Sequence, residues 1–477
     1  MTDKKPHMSS AWMNFSKALL PFADAASDRL PLARLLRLSL FQVSVGMAAV
    51  LLTGAINRVM IVELSVPAGL VAAMVALPLV FAPLRALIGH RSDTHRSVLG
   101  WRRGPYIWMG SMLQYGGFAV MPFALLVLSD TALNLPWLGQ ASAALAFLMV
   151  GAGMHTVQTA GLALATDIAP EDSRPRVVAL LYVMLLVGMG ASALVFGVLL
   201  QDFSPKRLIQ VIQGAAVVTI VLNVIALWKQ EARDTTLTDP TRPREAFRNA
   251  WARFATEPGA KRLLAGVGAG AAAFGMQDVL LEPYGGEVLA LSVSQTTLLT
   301  GLFAGGMLIG FALAARRLAK GAEPHRLAGF GAIIGVVGFS AIVFADPFAS
   351  GLLFRIGVVA IGVGNGLFSV STLTALMGLA KNGNAGIALG AWGAVQATSA
   401  GAAIATGGAL RDVIGRLAMA GDLGPALERV STGYGAVYHI EILLLFVSMA
   451  IIGPLARLSL DDAPSSSRPR GVPAFPS

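Results

Sequence analysis

Apolar runs of about 20 residues recur along the whole chain, at 38 to 62, 67 to 89, 104 to 128, 139 to 166, 177 to 200 and 208 to 228. A polar stretch from Lys229 to Arg262 interrupts them. Six more follow at 263 to 282, 295 to 315, 326 to 345, 351 to 379, 385 to 409 and 434 to 456. Each run is long enough to cross a bilayer as an α-helix. The pattern predicts an all-α polytopic membrane protein with twelve transmembrane helices. It divides the chain into an N-terminal cytoplasmic segment (1–36), a six-helix half (37–228), a cytoplasmic linker (229–262), a second six-helix half (263–456) and a disordered cytoplasmic tail (457–477).

Composition sharpens this picture and removes several function classes. Of 477 residues, 55% are hydrophobic and 13% charged, against roughly 25% charged in globular domains. Such a chain cannot cover a water-facing surface, which excludes a soluble enzyme. The absence of Cys excludes a disulfide scaffold, a thiolate metal site and a Cys nucleophile. Lys4, Lys5 and Lys17 precede a segment broken by Pro21 and Pro31, so no cleavable signal is expected. With twelve spans both termini share one side. The N-terminus, the even-numbered loops and the tail hold 29 of the 36 Lys and Arg, which makes that side cytoplasmic. The pI of about 10.2 is thereby accounted for as a topology signal, and no nucleic-acid partner is expected. Trp12, Phe15, Leu19 and Leu20 form one amphipathic stretch. Phe247, Trp251 and Phe254, interleaved with Arg244, Arg248 and Arg253, form another. Both read as interfacial helices on an anionic leaflet, the second being equally suited to docking a partner.

The two sets of six spans carry internal repeats. Asn57-Arg58-Val59-Met60-Ile61, late in span 1, resembles Gln277-Asp278-Val279-Leu280-Leu281, late in span 7. More weakly, Ala163-Leu164-Ala165-Thr166-Asp167 resembles Thr374-Ala375-Leu376-Met377-Gly378. Repeats offset by six spans keep the same membrane orientation, as in the parallel halves of major facilitator proteins, related by a pseudo-twofold axis.

Intramembrane charge is costly and marks candidate function. Arg58 lies in span 1, Asp278 and Glu282 lie one turn apart in span 7, Arg355 opens span 10, and His439 with Glu441 lies in span 12. Arg58 and Glu63 are five residues apart, about 140° around an α-helix, which disfavours an intrahelical pair. The repeat instead nominates Asp278 as the partner of Arg58 across the two halves, with snorkelling of Arg58 to the interface as the alternative. Asn57, Gln158, Gln277 and Glu282 are the expected polar lining of the central cavity.

The loop after span 2, Gly89 through Arg103, resembles the facilitator signature of Gly, then Asp, then a basic pair, stretched by several residues. Gly89, Asp93, Arg102 and Arg103 are its candidate cytoplasmic latch, since a carboxylate there can pair with arginines and cap a helix N-terminus. The alternative is a solvated basic loop. The matching second-half loop, Arg316-Arg317-Leu318-Ala319-Lys320, has no acid.

Span 4 contains His155-Thr156-Val157-Gln158-Thr159-Ala160-Gly161, resembling the facilitator pattern Arg-x-x-Gln-Gly with His in place of Arg. That change, and the lack of a Gly-Pro signature in span 5, weakens ordinary drug or sugar antiport. A neutral imidazole at His155, or at His439, either ligates the magnesium of a chlorin or makes an interhelical hydrogen bond. Glycines at Gly301, Gly305, Gly306 and Gly310, and at Gly386, Gly390, Gly393 and Gly401, fit close helix packing or a flat groove for a planar ligand. No GxxxxGK[ST] loop or HExxH helix occurs, so neither ATP hydrolysis nor metalloprotease chemistry is expected.

Asn57 through Leu64, Arg85 through Ile107, Gln158 through Asp167 and Phe274 through Gly286 together resemble the PucC/LhaA family, the bacteriochlorophyll delivery branch of the major facilitators. The resemblance runs from about residue 30 to 456, and length and N-terminus look more like the LhaA branch. It implies a non-enzymatic assembly factor in the photosynthetic cytoplasmic membrane of a bacterium. Bacteriochlorophyll would be its cofactor or cargo. Antenna polypeptides would be its partners, with pigment-synthesis or membrane-insertion proteins beside them. A secondary transporter of a hydrophobic or amphipathic solute, and a pigment-free scaffold for antenna helices, remain the alternatives.

Overall fold

Backbone amides in hydrocarbon have no water to bond, so a chain this apolar must satisfy them internally, as helices do. The computed structural model of the chain describes residues 30–80, 85, 88, 91–92, 95, 100–129, 136–170, 173–232, 256–379 and 385–461. Their regular structure is helical throughout. The first half holds α1 (Leu32–Glu63), α2 (Ala68–Val80), α3 (Gly104–Ser129), α4 (Pro136–Ile168), α5 (Arg174–Leu199) and α6 (Pro205–Leu227). The second holds α7 (Ala260–Glu287), α8 (Val293–Ala319), α9 (Pro324–Ala345), α10 (Gly351–Leu379), α11 (Ala385–Met419) and α12 (Ser431–Asp461). Ten are long and apolar enough to cross a membrane. Both amphipathic stretches, around Trp12 and around Trp251, lie outside the described residues, as does the tail beyond residue 461.

The packing follows the repeat. Helix α1 packs on α5 as α7 packs on α11, α3 on α4 as α9 on α10, and α3 on α6 as α9 on α12. Across the halves, α2 lies on α11 and α5 on α8, again a symmetric set. Glycine allows some of these approaches. Gly306 and Gly310 of α8 face the backbone of α10 at Val359 and Val363, and Gly362 and Gly366 face α8 in return. Here the glycine face is a helix contact, as small residues at membrane interfaces usually are.

Two helices depart from regular winding. Helix α1 has wide, π-helical turns at Val50–Ala55 and Val59–Glu63. Helix α7 tightens into a 3-10 turn over Met276–Val279 before resuming at Leu281. The cause of the second can be named. The carbonyl of Val279 would ordinarily accept from residue 283, which is Pro283 and has no N–H. The Nδ2 of Asn57 donates to that carbonyl at 2.9 Å, and to the carbonyl of Thr53 at 2.9 Å. Asn57 is wholly buried, so this amide replaces a helix donor that the sequence of α7 removes.

Replacing Asn57 by Ala leaves the Val279 carbonyl bare in a dry interior, a loss of about 1–3 kcal/mol. Thermal unfolding of the purified protein in mild detergent should show it. The double substitution Asn57→Ala with Pro283→Ala, which returns an N–H to α7, should recover part of the loss. No destabilisation by Asn57→Ala would show that the carbonyl is satisfied otherwise.

Candidate functional site

The seam between halves is built from the ends of α1, α2, α5, α7, α8 and α11. Among the described residues four hydrogen bonds are seen to cross it, and these lie toward the face away from the chain termini. Besides Asn57 to Val279, Arg58 Nη2 donates to the Leu291 carbonyl at 3.3 Å. The Gly69 N–H, at the start of α2, donates to Asp412 Oδ2 of α11 at 2.6 Å. Ser294 Oγ, at the start of α8, donates to the Gly197 carbonyl of α5 at 2.6 Å. Asp412 is a carboxylate at a helix N-terminus, where it meets both the free N–H groups and the helix dipole. Arg411 holds Asp412 at 2.9 Å, pairs with Glu287 of α7, and stacks over the Tyr434 ring at 4.6 Å from its centroid. Tyr434 donates to Glu287 at 2.9 Å. Pro67, Glu287, Arg411, Asp412 and Val430 line a surface-open cavity of about 600 Å³ on this face. Sequence reading missed this latch, because its acids sit at helix ends that look like solvated loop charge. The Arg411-Asp412 doublet, just after the span at 385 to 409, was the available signal.

Spans 1 and 7 do come together at the repeated strings, but the expected pair of Arg58 with Asp278 is corrected. Arg58 forms its ion pair with Glu63, and Asp278 accepts from Gln277 Nε2 at 2.7 Å. Two causes combine. The π-helical turn at Val59–Glu63 has more residues per turn than an α-helix, so residues five apart face each other. The second cause is register. The turns after α1 and α7 are equivalent in backbone: Val66 N–H bonds the Met60 carbonyl as Leu291 N–H bonds that of Gly285. Ser65 and Ala290 both take positive φ, at 53° and 52°. These turns lie 225 residues apart, whereas Arg58 and Asp278 lie 220 apart. Asp278 is therefore displaced by five residues, about 7.5 Å of helix rise, from the position matching Arg58.

At the face nearer the termini, Arg102 and Arg103 both meet Asp167, at the end of α4, at 3.0 and 3.1 Å. Arg103 also donates to Ser92 at 2.5 Å. Glu231 caps the start of α3, accepting from the N–H groups of Arg102, Arg103 and Gly104 at 2.7, 2.9 and 2.7 Å. These contacts tie the first half to itself. Gly89 and Asp93 lie outside the described residues.

Two polar groups remain inside the bundle. In the second half, Glu282 is 2% exposed and accepts from Thr300 Oγ1 at 2.5 Å. Glu441 of α12 is 0% exposed, set against the backbone N–H of Gln277 and beside Asp278. Gln277 is also buried, with its Oε1 unbonded. In the first half, Arg85 donates to Gln158 Oε1 at 2.7 Å and to Thr159 Oγ1 at 3.2 Å. Gln158 reaches Gln42 of α1 at 3.4 Å. His155, on the same face of α4, is 8% exposed with both ring nitrogens unbonded. A buried imidazole with two open nitrogens has the donor chemistry of a magnesium ligand. His439 differs: it is exposed on α12, with Nδ1 held by the Gly435 carbonyl at 2.6 Å, and joins neither group. Arg85 escaped the sequence reading because it falls near the end of an apolar window and counted as loop charge.

Comparison with known proteins now adds kinship. A sequence profile of the family described as PUCC protein matches residues 55–460. The chain is 59% identical to Protein PucC of Rhodovulum sulfidophilum over 401 residues, covering 83% of this chain and 88% of that protein. It is 57% identical over 440 residues to an uncharacterized protein of the puhA-bchM intergenic region of Rhodobacter capsulatus, covering 92% of each. A protein of Rhodobacter capsulatus named bacteriochlorophyll synthase 44.5 kDa chain is 30% identical, over 87% of this chain and 93% of that one. Among solved structures, a bacterial homolog of the human lysosomal transporter Spinster superposes with a TM-score of 0.65 at 15% identity, covering 91% of this chain and 98% of that one. At that identity the likeness shows the fold alone, the major facilitator fold expected from the repeats.

The seam at the far face can be opened selectively. Removing the cap, as in Asp412→Ala, should weaken closure by about 1 kcal/mol, roughly five-fold in the opening equilibrium. The natural chain has no Cys, so Val66→Cys, at a buried position three residues before Gly69, gives one reporter that the closed seam covers. Its labelling by a membrane-impermeant maleimide should accelerate several-fold in the Asp412→Ala background; an unchanged rate would remove Asp412 from the latch.

Proposed function

The chain belongs to the PUCC family, and from that premise we propose that it is an assembly factor for photosynthetic light-harvesting antenna complexes that handles bacteriochlorophyll. It would act in the photosynthetic cytoplasmic membrane, with both termini cytoplasmic, passing pigment to antenna polypeptides. Pigment-synthesis or membrane-insertion proteins are its further partners in this reading. The observation that carries the pigment step is His155, buried with both ring nitrogens open between α1, α2 and α4. Neutral imidazole is a common ligand for metals, and His155 would be the residue that holds the magnesium of a chlorin here. The name of the bacteriochlorophyll synthase relative points the same way.

An escort also needs access from the bilayer. A groove of about 390 Å³ runs between α1, α5 and α6, lined by Val43, Met47, Phe196 and Val211 among others. It is apolar, with Val195 and Val218 beside it exposed on the outer surface. A hydrophobic molecule can lie there without crossing a sealed midplane. The chain's own residues then bind and orient cargo and need no catalytic group, which makes it a non-enzymatic protein in this reading.

One observation favours the second reading, a secondary transporter. Glu441 is a fully buried carboxylate with no basic side chain paired to it among the described residues, and intramembrane acids often carry protons in pumps and transporters. Its test is separate. If the chain escorts pigment, Glu441→Gln, which keeps shape and removes charge, should leave antenna absorbance per unit of this protein near the natural level. Loss of antenna with normal membrane abundance would favour proton-coupled transport.

The pigment step itself is tested by His155→Phe, which removes the imidazole and keeps bulk. Bacteriochlorophyll copurifying with the chain in mild detergent should fall several-fold while membrane abundance holds. Unchanged pigment content and spectrum would withdraw His155 as ligand. Normal antenna assembly by a chain that never carries pigment would leave the scaffold reading in its place.

A further inference from the structure

Arg85 has the chemistry of a half-built ion pair. Its guanidinium carries five N–H donors, of which Nη2 and Nε are used on two neutral acceptors, Gln158 Oε1 and Thr159 Oγ1. No carboxylate pairs with it among the described residues. Two other arginines of the bundle do pair, Arg58 with Glu63 and Arg411 with Glu287 and Asp412, whereas Arg355, at the start of α10, donates to the Gly351 carbonyl of its own first turn. A cation inside a membrane protein ordinarily pairs, because leaving it alone costs several kcal/mol. The groups around Arg85 are positioned rather than loose. Thr159 passes its own proton to the His155 carbonyl at 2.7 Å, which fixes the hydroxyl oxygen as an acceptor toward Arg85.

Three further open valences converge on the same place. His155 lies one turn before Thr159 and close enough to Arg85 for their charges to interact, with both ring nitrogens unbonded. The Gln42 Nε2 of α1 is buried without an acceptor. Gln42 Nε2 is a donor lacking an acceptor and His155 is a possible metal ligand, while Arg85 is bonded only to neutral oxygens, with the Tyr182 phenol close enough for their charges to interact. What is missing is a negatively charged oxygen, and as described the cluster holds one guanidinium, so the deficit is a single charge. A carboxylate meets that deficit, with two oxygens matching the planar edge of a guanidinium. A phosphate dianion would overshoot it.

We propose that Arg85, Gln158 and Gln42 form a subsite for the carboxylate of a hydrophobic ligand, and that beside His155 the ligand is a magnesium chlorin whose side-chain propionate is free rather than esterified. The identity of the ligand rests on the pigment reading above; the carboxylate subsite does not. Such a molecule presents a Lewis-acidic metal and an anionic oxygen from one rigid ring, as the adjacent imidazole and guanidinium require. The esterified pigment offers the metal alone and leaves Arg85 without its counter-charge. The subsite therefore discriminates a pigment's free acid from its ester.

The test uses the full chain purified in mild detergent, with quenching of its tryptophan fluorescence as the binding signal and two probes, magnesium chlorophyllide and its methyl ester. The free acid should bind about 10-fold or more tightly than the ester, the usual worth of a charge-assisted hydrogen bond. Arg85→Gln should erase that difference and leave ester affinity unchanged, which also reports that the variant is folded. Arg85→Lys, which keeps charge without the planar fork, should fall between. Equal affinities of acid and ester in the natural chain, or equal weakening of both by Arg85→Gln, would overturn the proposal. Oleate separates the two layers of the argument. If neither chlorin binds, the pigment reading fails, while oleate binding that Arg85→Gln abolishes would uphold the carboxylate subsite; absence of oleate binding as well would end both.

Discussion

The carbonyl of Val279 is the group on which the arrangement of the two halves turns. Pro283 deprives it of its helical donor, and inside a bilayer no water can stand in. Asn57 supplies the missing N–H from the other half, so a defect in one helix is repaired only when the halves meet in one register. Around that point the chain ends of α2 and α8 are also bound across the seam, Gly69 by Asp412 and Ser294 by Gly197. All of these bonds lie toward one face. Closure there is thus written into backbone satisfaction, which is hard to remove without unfolding, whereas no bond seen at the opposite face joins the two halves among the described residues.

Charge inside the bundle is distributed unevenly between the halves. The first half holds a guanidinium and an imidazole toward the termini, and the second holds Asp278, Glu282 and Glu441 nearer the closed face. Opposite charges in a low-dielectric interior attract strongly when they meet, as Arg58 does with Glu63 and, more distantly, with Glu282, while Arg85 lies on another helix and at another depth from these acids. Bonding capacity is left unmet at Gln42 and His155 in one half and at Gln277 and Glu282 in the other. In a protein built only for stability such capacity is rare, since buried polar atoms are nearly always bonded. At a site that receives a ligand it is the expected state before the ligand arrives.

Much of the architecture was legible because a membrane span is a composition signal: twenty apolar residues need no knowledge of their neighbours to be recognised. The repeat correctly brought spans 1 and 7 together, yet it chose the wrong contact. Sequence similarity aligned Arg58 with Asp278, while the backbone turns aligned Met60 with Gly285, a five-residue difference that only the π-helical and 3-10 distortions reveal. The rule that residues five apart on a helix do not face each other failed for Arg58 and Glu63 for the same reason. Pro283, four residues after Val279, was the sequence clue to a bare carbonyl, and Asn57 in the repeated string was the amide available to fill it. Arg85 was hidden differently, because a basic residue near the end of a span counts equally well toward topology.

An escort and a transporter built on this fold differ in what closure is for. A transporter must open the two faces in turn, so bonds at the seam have to be breakable at modest cost, as a salt bridge or a side-chain cap is. Arg411, Glu287 and Asp412 are of that kind, but the Asn57 bond is not, since breaking it strands a carbonyl in a dry interior. The far face therefore combines a latch that can be released with a backbone repair that resists release. The Arg85 group, proposed above as a cargo site, lies on the other side of that repair, and the apolar groove at Val43 and Met47 touches the same helix as Gln42. For a ligand dissolved in the bilayer, entry and exit along α1 ask nothing of the closed face. On that geometry, alternate opening is dispensable for an escort and demanding for a transporter.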